Sequence, residues 1–377
     1  MIKIASLVSY SVVPPVTGGE KGIYYFLKYL SDHCDLTCFT VQENQPLGKL
    51  FTTIPVLGST QNKFRYVNVF LFFKIRKLLR QQRIDYLIIE HPYYGWLGYL
   101  LQKFAGTKII VHSHNIEALR FKDLGKWWWN LLFRYERKIH QLADLSFFIS
   151  PEDRNYAIQT YFISPEKCTV ITYGTVLSHF PFAEKELARE KLCRELELPA
   201  DTRILLFNGT LNYQPNLDAV DIIIKDIAPL FKNRFTKPYR IVICGKGLPA
   251  QYNGLKEQEA DHILFKGYVD DIHLYFAAAD LFLNPIADGG GIKTKLVEAL
   301  GTNTPAVSFK KGAYGVPAEI TDNNLRVVAD KDINSFVAEM IALLKAGKTA
   351  MPAAFYDYFS WDKIAQKAIQ FIQDSAI

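Results

Sequence analysis

Hydrophobic positions along the chain form two alternating kinds of pattern. Short runs rich in Val, Ile, Leu and Phe are typical of buried strands, and between them apolar residues recur at helical spacing, as in Gly22–Leu30 and Trp127–Leu142. This alternation predicts parallel sheets covered by helices, which is the doubly wound α/β architecture. The first series of predicted strands comprises Ile2–Val8, Asp35–Thr40, Tyr86–Glu90, Lys108–His112, Leu145–Ile149 and Cys168–Ile171.

A second series of strands follows after a gap. The stretch Tyr173–Pro199 has no strand pattern and is densely charged, so we interpret it as the connection between two domains. We expect one Rossmann-like domain over residues 1–175 and another over 176–360, facing a central cleft, each with ligand sites at the carboxyl ends of its strands. The predicted strands of the second domain are Arg203–Phe207, Tyr239–Cys244, His262–Phe265, Leu281–Asn284, Pro305–Ser308 and Leu325–Val328.

The composition is that of a folded globular protein, because 49% of the residues are apolar and 22% are charged. The five cysteines are scattered without paired CxxC spacing, which argues against a disulfide framework or a zinc knuckle and favours a reducing compartment. The apolar run at the N-terminus is too short for a signal peptide, and no stretch is long enough to cross a membrane. We therefore expect a cytoplasmic protein.

Two glycines, Gly18 and Gly19, lie between the first predicted strand and the helix that follows it. Glycines at such a place let the backbone approach a ligand closely, and the free N–H groups of a helix N-terminus favour a phosphate. A plain turn before a helix explains the pair equally well, because the spacing matches neither a Walker loop nor a dinucleotide fingerprint.

The segment 285–301 repeats this arrangement in the second half of the chain and adds charge. Its glycines follow a predicted strand and open a helix with two lysines in its first turn, so amide dipoles and ammonium charges converge where an anion would bind. A glutamate further along this helix can accept hydrogen bonds from a ribose diol. The plainer alternative is a glycine-rich turn before a solvated helix. The candidate binding residues are Gly290, Gly291, Ile292, Lys293, Lys295 and Glu298.

These segments resemble the GT-B fold glycosyltransferases of the large retaining family 4, and the resemblance covers nearly the whole length. It implies an acceptor-binding N-terminal domain, a C-terminal domain that binds a nucleotide sugar, and a helix over 361–377 that crosses back to the first domain. The implied activity is retaining transfer of a hexosyl unit to a glycan or lipid-linked glycan in bacterial-type cell-surface polysaccharide or glycoconjugate synthesis. The resemblance rests on Gly18-Gly19, Ile110–Glu117, Phe207–Thr210, Pro215-Asn216, Phe265–Val269, Gly289–Gly301 and Phe359–Trp361.

In the second domain the resemblance assigns the donor nucleotide. Glu298 matches the second Glu of the family's Glu-x7-Glu motif, which binds the donor ribose, whereas Gly290 stands in place of the first. The contacts to the donor sugar must then come from backbone amides near Gly290–Ile292. Gly209 matches the family's Phe-x-Gly segment, but Thr210 follows it where the family often has Arg. Lys293 or Lys295 would therefore have to supply the charge at the phosphate.

The resemblance also implies where the base and the pyrophosphate bind. The base is expected beside Tyr268 and Val269, which follow a strand of the second domain, although an aromatic residue in a loop more often serves only in packing. The backbone amides of Gly18 and Gly19 are expected at the pyrophosphate.

Two histidines flank Ser113 at the end of a predicted strand. A neutral histidine there can hydrogen-bond a sugar hydroxyl near pH 7, and the resemblance implies that one of them touches the donor sugar. We favour His114 over His112 as the catalytic histidine, with a buried structural histidine as the alternative. Zinc is not favoured because no third ligand is evident nearby. The Asp-x-Asp at Asp330–Asp332 is interpreted as a helix cap, so we expect transfer without a metal or other cofactor.

The formal net charge of +6 is concentrated in the first half of the chain. Residues 1–180 carry 21 cations and 13 acids, whereas residues 181–377 carry 23 cations and 25 acids. Residues 61–83 hold seven cations and no acid among aromatic residues, and a second basic aromatic segment covers 119–134. Such segments suit an anionic membrane surface, hence a peripheral position on the inner face of the cell membrane. A helix with one buried face and a solvated basic rim is the alternative, and nucleic acid is disfavoured because no recognition motif accompanies the charge.

Two rival functions stay open. One is a sugar-nucleotide epimerase of the same fold, which would consume the donor without an acceptor. The other is a non-catalytic protein that binds glycans or membranes. The sequence leaves the sugar, the base, the acceptor and the oligomeric state undetermined.

Overall fold

The structure is a computed structural model that describes residues 1–44 and 51–375. The chain divides into two compact units: the first combines Met1–Gly174 with Phe359–Ile377, and the second is Thr175–Tyr358. Each unit is built on one parallel sheet, so the predicted α/β architecture with two doubly wound domains is confirmed. Residues 45–50 of the predicted first domain and residues 376–377 of the predicted terminal helix lie outside the described residues.

The first unit contains seven strands: β1 (Lys3–Leu7), β2 (Asp35–Thr40), β3 (Thr52–Pro55), β4 (Tyr86–Glu90), β5 (Lys108–Ser113), β6 (Leu145–Phe148) and β7 (Cys168–Val170). They form a parallel sheet in the order β3-β2-β1-β4-β5-β6-β7. The strand order reverses between β1 and β4, and doubly wound folds bind ligands at the carboxyl ends of such strands. Sequence reasoning missed β3, a four-residue edge strand without a buried apolar run.

The second unit contains six strands: β8 (Arg203–Asn208), β9 (Tyr239–Cys244), β10 (Ile263–Gly267), β11 (Leu281–Asn284), β12 (Ala306–Phe309) and β13 (Leu325–Val328). Their order is β10-β9-β8-β11-β12-β13, again with every pair parallel, and all six coincide with predicted strands to within two residues. Here the order reverses between β8 and β11, which places the glycine-rich segment after β11 at the switch point.

Fourteen α-helices lie in the described part of the chain. They are α1 (Gly18–Leu30), α2 (Phe70–Gln82), α3 (Gly95–Ala105), α4 (Glu117–Asp123), α5 (Trp129–Leu142), α6 (Pro151–Tyr156), α7 (Phe182–Glu195), α8 (Gln214–Ile222), α9 (Ala228–Arg234), α10 (Ile272–Ala278), α11 (Thr294–Gly301), α12 (Ile333–Ala346), α13 (Ala353–Phe359) and α14 (Trp361–Asp374). The terminal helix α14 packs against α1 within the first unit.

The interpretation of Tyr173–Pro199 as a connection is wrong for most of its length, because α7 occupies residues 182–195 and packs against α10 in the second unit. Eight of its fourteen residues are charged, which hides the helical periodicity of its few apolar positions. The side chain of Lys185 is buried and donates hydrogen bonds to the carbonyl oxygens of Ala277 (2.8 Å) and Ala279 (2.9 Å) and to Thr304 Oγ1 (2.6 Å).

Candidate active site

Three histidine rings lie in a row at the carboxyl ends of β4 and β5. His112 belongs to β5, His114 follows that strand, and His91 follows β4. The ring centroids of His112 and His114 are 4.3 Å apart, and those of His114 and His91 are 4.6 Å apart. Because β4 and β5 are parallel neighbours, their ends bring these rings together at one edge of the sheet. Both predicted histidines, and a third that the sequence reasoning missed, therefore share one site.

Glu90, the last residue of β4, is the carboxylate of this row. Its Oε2 atom accepts a hydrogen bond from His114 Nε2 at 2.7 Å and lies 3.0 Å from His112 Nδ1, an electrostatic contact without good hydrogen-bond alignment. Ser6 Oγ, from β1, donates to Oε1 at 3.3 Å. Burial alone would raise the pKa of Glu90, but the contacts with His112 and His114 outweigh it and hold the pKa well below its usual range. Glu90 is thus an ionised carboxylate enclosed by the site.

The electrostatics of the row keep His114 neutral. Burial, and then the neighbouring His112, lower the pKa of His114 to about 3. Its ring is therefore an uncharged hydrogen-bonding group near pH 7, as the sequence analysis expects of a histidine that meets a sugar hydroxyl.

His91 is held in a backbone conformation that residues other than glycine seldom adopt, with φ at 66°. Its ring is fixed by Tyr10, whose hydroxyl lies 3.0 Å from His91 Nε2, and its Nδ1 lies 3.3 Å from Glu117 Oε1. Backbone strain of this kind clusters at functional sites. The signal in the sequence is His91-Pro92 directly after the predicted strand Tyr86–Glu90, which precedes along the chain the predicted strand that ends at His112.

A second buried carboxylate, Glu117, begins α4 beside the row. It accepts hydrogen bonds from the Tyr93 hydroxyl at 2.8 Å and from Arg120 Nη1 at 2.9 Å. Burial raises its pKa, but contacts with His91 and Arg120 outweigh that effect and lower the pKa of Glu117 to about 2. Arg120, which the sequence analysis counted with a basic surface, therefore pairs with this carboxylate.

The zinc argument from the sequence is corrected on one point, because Glu90 is a third potential ligand beside His112 and His114. The distances nevertheless describe hydrogen bonding rather than ligation. Two ligands bound tetrahedrally at ~2.0–2.1 Å from a zinc ion would lie about 3.3 Å apart, whereas Glu90 Oε2 and His114 Nε2 are 2.7 Å apart. Among the described residues this is the cluster of His, Cys, Asp and Glu whose ligand atoms lie close enough to hold a metal.

The glycine pair lies in the first turn of α1, which begins at Gly18 rather than at the expected Gly22. Thr17 caps the helix, and Glu20 Oε2 accepts hydrogen bonds from the backbone of Val16 (2.7 Å) and Thr17 (3.0 Å). A Cβ atom at Gly19 would meet nothing within 4 Å, so this turn presents bare backbone. Phe26 of the same helix lies with its ring 5.0 Å from His112, which ties α1 to the histidine row.

The second candidate site lies in the second unit, in the segment that joins β11 to α11. Lys293 is the residue that caps α11, and its Nζ atom donates to the carbonyl oxygens of Gly289, Gly290 and Gly291, each at 3.0 Å. The ammonium group therefore links the three glycine carbonyl oxygens and stabilises the turn. Lys295 lies in the first turn of α11, and Glu298 lies in its second turn. The assignment of either lysine to a phosphate stays a prediction.

Loops after three strands of the second unit come together around this turn. A Cβ at Gly289 would lie 3.0 Å from the Tyr213 hydroxyl oxygen, and a Cβ at Gly245 would lie 1.7 Å from the carbonyl oxygen of Gly209. The backbone N–H of Gly245 donates to Gly267 at 2.7 Å, which brings the predicted base-binding turn to the same edge. Sequence reasoning missed Gly245; its signal is Gly-Lys-Gly directly after the predicted strand Tyr239–Cys244.

The remaining predicted residues lie at the margin of this edge. Tyr268 is 69% exposed, and Val269 is half-buried next to it. Asp332 caps α12 by accepting a hydrogen bond from Ser335 N at 3.1 Å, so the interpretation of Asp330–Asp332 as a helix cap is confirmed.

The basic aromatic segment 61–83 forms α2 and the short helical turn before it. Three of its five aromatic side chains lie largely in solvent, since Phe64 is 80% exposed, Phe70 74% and Phe73 64%, whereas Tyr66 and Phe72 pack against the core. One of the seven cations is not on the surface, because Arg65 is buried and donates to carbonyl oxygens of Ser9 and Thr60. No helix within residues 1–44 and 51–375 is both long and apolar enough to cross a membrane.

Two family models match the chain, one for Glycosyltransferase Family 4 over residues 16–178 and one for Glycosyl transferases group 1 over residues 202–346. A D-inositol 3-phosphate glycosyltransferase of Thermobispora bispora is 28% identical over 59% of this chain and 55% of its own length. The O-antigen biosynthesis glycosyltransferase WbnH of Escherichia coli is 22% identical over 82% of this chain and 81% of its own. The chain thus spans between half and two thirds of the length of the inositol phosphate glycosyltransferases that it matches.

Solved structures share the fold at low sequence identity. A glycosyltransferase of Rickettsia africae superposes with a TM-score of 0.73 at 16% identity, covering 100% of this chain and 98% of its own. Anabaena HepE in complex with UDP superposes with a TM-score of 0.68 at 16% identity, covering 99% of this chain and 100% of its own. Both halves of the chain match glycosyltransferase models and the fold agrees, so the chain belongs to glycosyltransferase family 4, the group 1 glycosyltransferases of GT-B fold.

Proposed function

We propose that this glycosyltransferase moves a hexosyl unit, with retention of configuration, from a nucleotide sugar to a glycan or lipid-linked glycan acceptor in cell-surface polysaccharide synthesis. The observation that carries the proposal is the glycine turn closed by Lys293 beside Glu298, at the switch point of the second sheet. UDP-glucose in a complex of HepE supports a nucleotide-sugar donor. The names of relatives in O-antigen synthesis support a surface glycan as product.

Each predicted residue has one role in this proposal. Glu298 binds the ribose hydroxyls, the backbone of Gly209 and of the Gly290–Ile292 turn meets the phosphates and the sugar, and Lys295 supplies positive charge. Gly291 belongs to the same turn, which Lys293 holds through hydrogen bonds to its carbonyl oxygens. The other proposed roles are contacts to the base for Tyr268 and Val269, to the pyrophosphate for Gly18 and Gly19, and to the sugar for His114.

No metal or other cofactor is part of the proposed reaction. Positive charge and oriented N–H groups at the leaving diphosphate would stabilise the developing charge without reorganisation. We therefore expect donor turnover to survive EDTA and to change little when Mg²⁺ or Mn²⁺ is restored. A strict requirement for either ion would contradict this part of the proposal.

The first experiment measures donor binding and then turnover. Thermal shift against nucleoside diphosphates, followed by nucleotide sugars, identifies the base and the sugar. Glu298→Ala should then abolish most of the donor affinity, whereas Glu319→Ala, at an exposed carboxylate of the same unit, should not change it. Equal behaviour of the two variants would refute the ribose assignment.

Product analysis separates this function from its rivals. With acceptor present, the anomeric configuration of the new linkage, read by NMR, should equal that of the donor. A sugar-nucleotide epimerase would convert the donor with no acceptor present, and a non-catalytic binding protein would convert nothing.

An anionic membrane surface is the proposed partner of the first unit. Phe64, Phe70 and Phe73 are exposed beside the cations of α2, and Phe104 of α3 is exposed next to them, with its carbonyl oxygen accepting hydrogen bonds from Arg76 at 3.1 Å and Arg80 at 3.3 Å. Aromatic side chains can enter the headgroup region while lysine and arginine attract anionic lipid at about 1 kcal/mol each. This arrangement supports a peripheral position on the inner face of the cell membrane.

Liposome sedimentation tests this partner. Replacing Lys74 and Lys77 of α2 by Gln should weaken binding to vesicles that contain anionic lipid, and the loss should shrink in high salt. Replacing Lys237 and Lys345, two exposed lysines of the second unit, by Gln removes the same charge elsewhere and should leave binding unchanged. Equal loss in both double variants would mean that only net charge matters.

A further inference from the structure

Glu90 holds the histidine row from the neighbouring strand. It is the last residue of β4 and is paired in register with His112 of β5. Its Oε2 atom contacts both His112 and His114, at 3.0 and 2.7 Å, while Ser6 from the strand on the other side donates to Oε1. The carboxylate is buried away from solvent, so these side chains, and not water, determine its orientation.

The hydrogen bond between His114 and Glu90 fixes which ring nitrogen carries the proton. A carboxylate only accepts hydrogen bonds, so the 2.7 Å contact requires an N–H at Nε2 of His114. A neutral imidazole has one N–H, and the second nitrogen is then a hydrogen-bond acceptor. His114 is neutral because burial and His112 disfavour its charged form. Its Nδ1 atom therefore carries a lone pair.

We propose that Glu90 is a positioning residue that locks His114 in the Nε2–H tautomer, so that His114 meets the transferred sugar with Nδ1 as acceptor of a hydrogen bond from a sugar hydroxyl. This inference rests on the proposed function, in which His114 faces the donor sugar. It adds the direction of the hydrogen bond and the residue that sets it. A sugar with fluorine or hydrogen in place of that hydroxyl has no proton to donate to Nδ1.

The ring positions explain why the lock is stable. His112 contacts Glu90 and also packs edge-on against the aromatic side chains of Phe26 and Phe147, whose ring centroids are 5.0 and 5.9 Å away. These contacts hold His112, which in turn packs against the ring of His114. Residues that orient a functional group through its second nitrogen are known to matter nearly as much as the group itself, and a displacement of about 1 Å can cost on the order of 100-fold in rate.

The tautomer is measured directly by NMR on protein labelled with ¹⁵N at its eight histidines, with the His114 signals identified by their loss in His114→Gln. The wild-type spectrum should show a proton on Nε2 of His114 and none on Nδ1. Glu90→Gln keeps an oxygen that can accept from Nε2 and should keep this tautomer. Glu90→Leu removes the acceptor and should yield a mixture of tautomers. A proton on Nδ1 in the wild type, or an unchanged tautomer in folded Glu90→Leu, would overturn the inference.

Kinetic measurements test the second part of the inference, the hydrogen bond from the sugar to His114 Nδ1. Glu90→Leu should lower kcat by roughly 10- to 100-fold with a smaller change in the donor KM, and Glu90→Gln should recover most of it. Asn at position 114 places an amide oxygen near the Nδ1 position, whereas Gln reaches the Nε2 position. His114→Asn should therefore keep more kcat/KM than His114→Gln, and the reverse order would overturn the assignment of Nδ1.

Monodeoxyfluoro donors complete the test. At one position of the sugar, replacing the hydroxyl by fluorine should lower turnover by the wild-type enzyme but should not lower that of His114→Ala any further. The reason is that only the hydroxyl at this position donates to Nδ1. If fluorine at each position has the same relative effect on turnover in both proteins, His114 accepts no hydrogen bond from a sugar hydroxyl and the inference fails. If wild-type enzyme turns over no nucleotide sugar at all, the proposed function fails instead, and the NMR measurement still decides whether Glu90 sets the tautomer.

Discussion

Glu136, in the middle of α5, accepts a hydrogen bond from the backbone N–H of Glu117 at 3.1 Å. Its other oxygen accepts one from Ala118 at 2.9 Å, so a buried carboxyl group caps the first turn of α4 beside the histidine row. Burial raises the pKa of Glu136 to about 8, against the pull of these two backbone N–H groups. The carboxyl that positions Glu117 is therefore protonated at neutral pH.

This pKa makes the stability of the protein depend on pH. A carboxyl whose pKa is higher in the folded than in the unfolded chain stabilises the fold fully below its unfolded pKa and loses that contribution as the pH rises through the folded value. We expect the contribution of Glu136 to the free energy of unfolding to fall between about pH 5 and 9. In urea titrations across this range the difference in free energy of unfolding between the wild type and Glu136→Gln should therefore change with pH, whereas Glu190→Gln, at an exposed position of α7, should keep the wild-type slope. Parallel profiles for all three proteins would contradict a protonated Glu136.

The buried ammonium of Lys185 should be a strong determinant of stability in the second unit. Lys185→Met keeps the length of the side chain but removes the lysine donor from the buried carbonyl oxygens of Ala277 and Ala279, and the latter retains only a long 3.4 Å hydrogen bond from Thr304 Oγ1. We expect a loss of about 3 kcal/mol in the free energy of unfolding. Lys191→Met, on the exposed side of the same helix, should change it by less than about 0.5 kcal/mol. Denaturant unfolding compares the two, and equal effects would refute the role of Lys185.

Most strands, and the segments that hold the candidate site residues, could be predicted from the sequence because both depend on local pattern. Runs such as Tyr86–Glu90 and Tyr239–Cys244 are mostly apolar on both faces, as is typical of buried parallel strands, and were predicted at their observed bounds. The edge strand β3 and the charged helix α7 lack such patterns, since an edge position and a rim of charge tolerate polar residues.

The composition of the site was harder to predict because it depends on register between strands. His112 and His114 were found, but Glu90 and His91 became visible as their neighbours only once β4 was paired with β5. Likewise the charges of Lys293 and Arg65 were counted correctly, yet their partners are backbone carbonyl oxygens whose positions follow from turn geometry. Local sequence pattern therefore identifies candidate residues, but their contacts depend on strand register and turn geometry in the folded chain.

Lys293 and Lys295 should affect nucleotide binding in different ways. Lys293→Met removes the clamp on three carbonyl oxygens of the glycine turn, so we expect a lower Tm together with weaker binding of nucleoside diphosphate. Lys295→Met should weaken binding by about 10-fold without lowering the Tm, and it should reduce the dependence of affinity on salt, since it removes a charge.

Calorimetric titration at two salt concentrations, with Lys295→Arg as the variant that keeps the charge, separates these effects. Unchanged affinity of Lys295→Met at low salt would remove Lys295 from the phosphate site.

Close packing of Gly245 against Gly209 should stabilise the proposed nucleotide-binding edge of the second unit. A Cβ at Gly245 would lie 1.7 Å from the carbonyl oxygen of Gly209, so Gly245→Ala must push the loops after β8 and β9 apart. Gly347→Ala is the control, because Gly347 (φ 86°, ψ −173°) also has a backbone conformation that residues with a Cβ seldom adopt, but a Cβ there would meet nothing within 4 Å. We expect the control to cost about 1–2 kcal/mol, from backbone strain alone, and Gly245→Ala to cost roughly 3 kcal/mol or more and to weaken nucleotide binding. Thermal unfolding with and without nucleoside diphosphate measures both effects. If Gly245→Ala proves no worse than Gly347→Ala, the two loops can separate at little cost, and their contact does not shape the site.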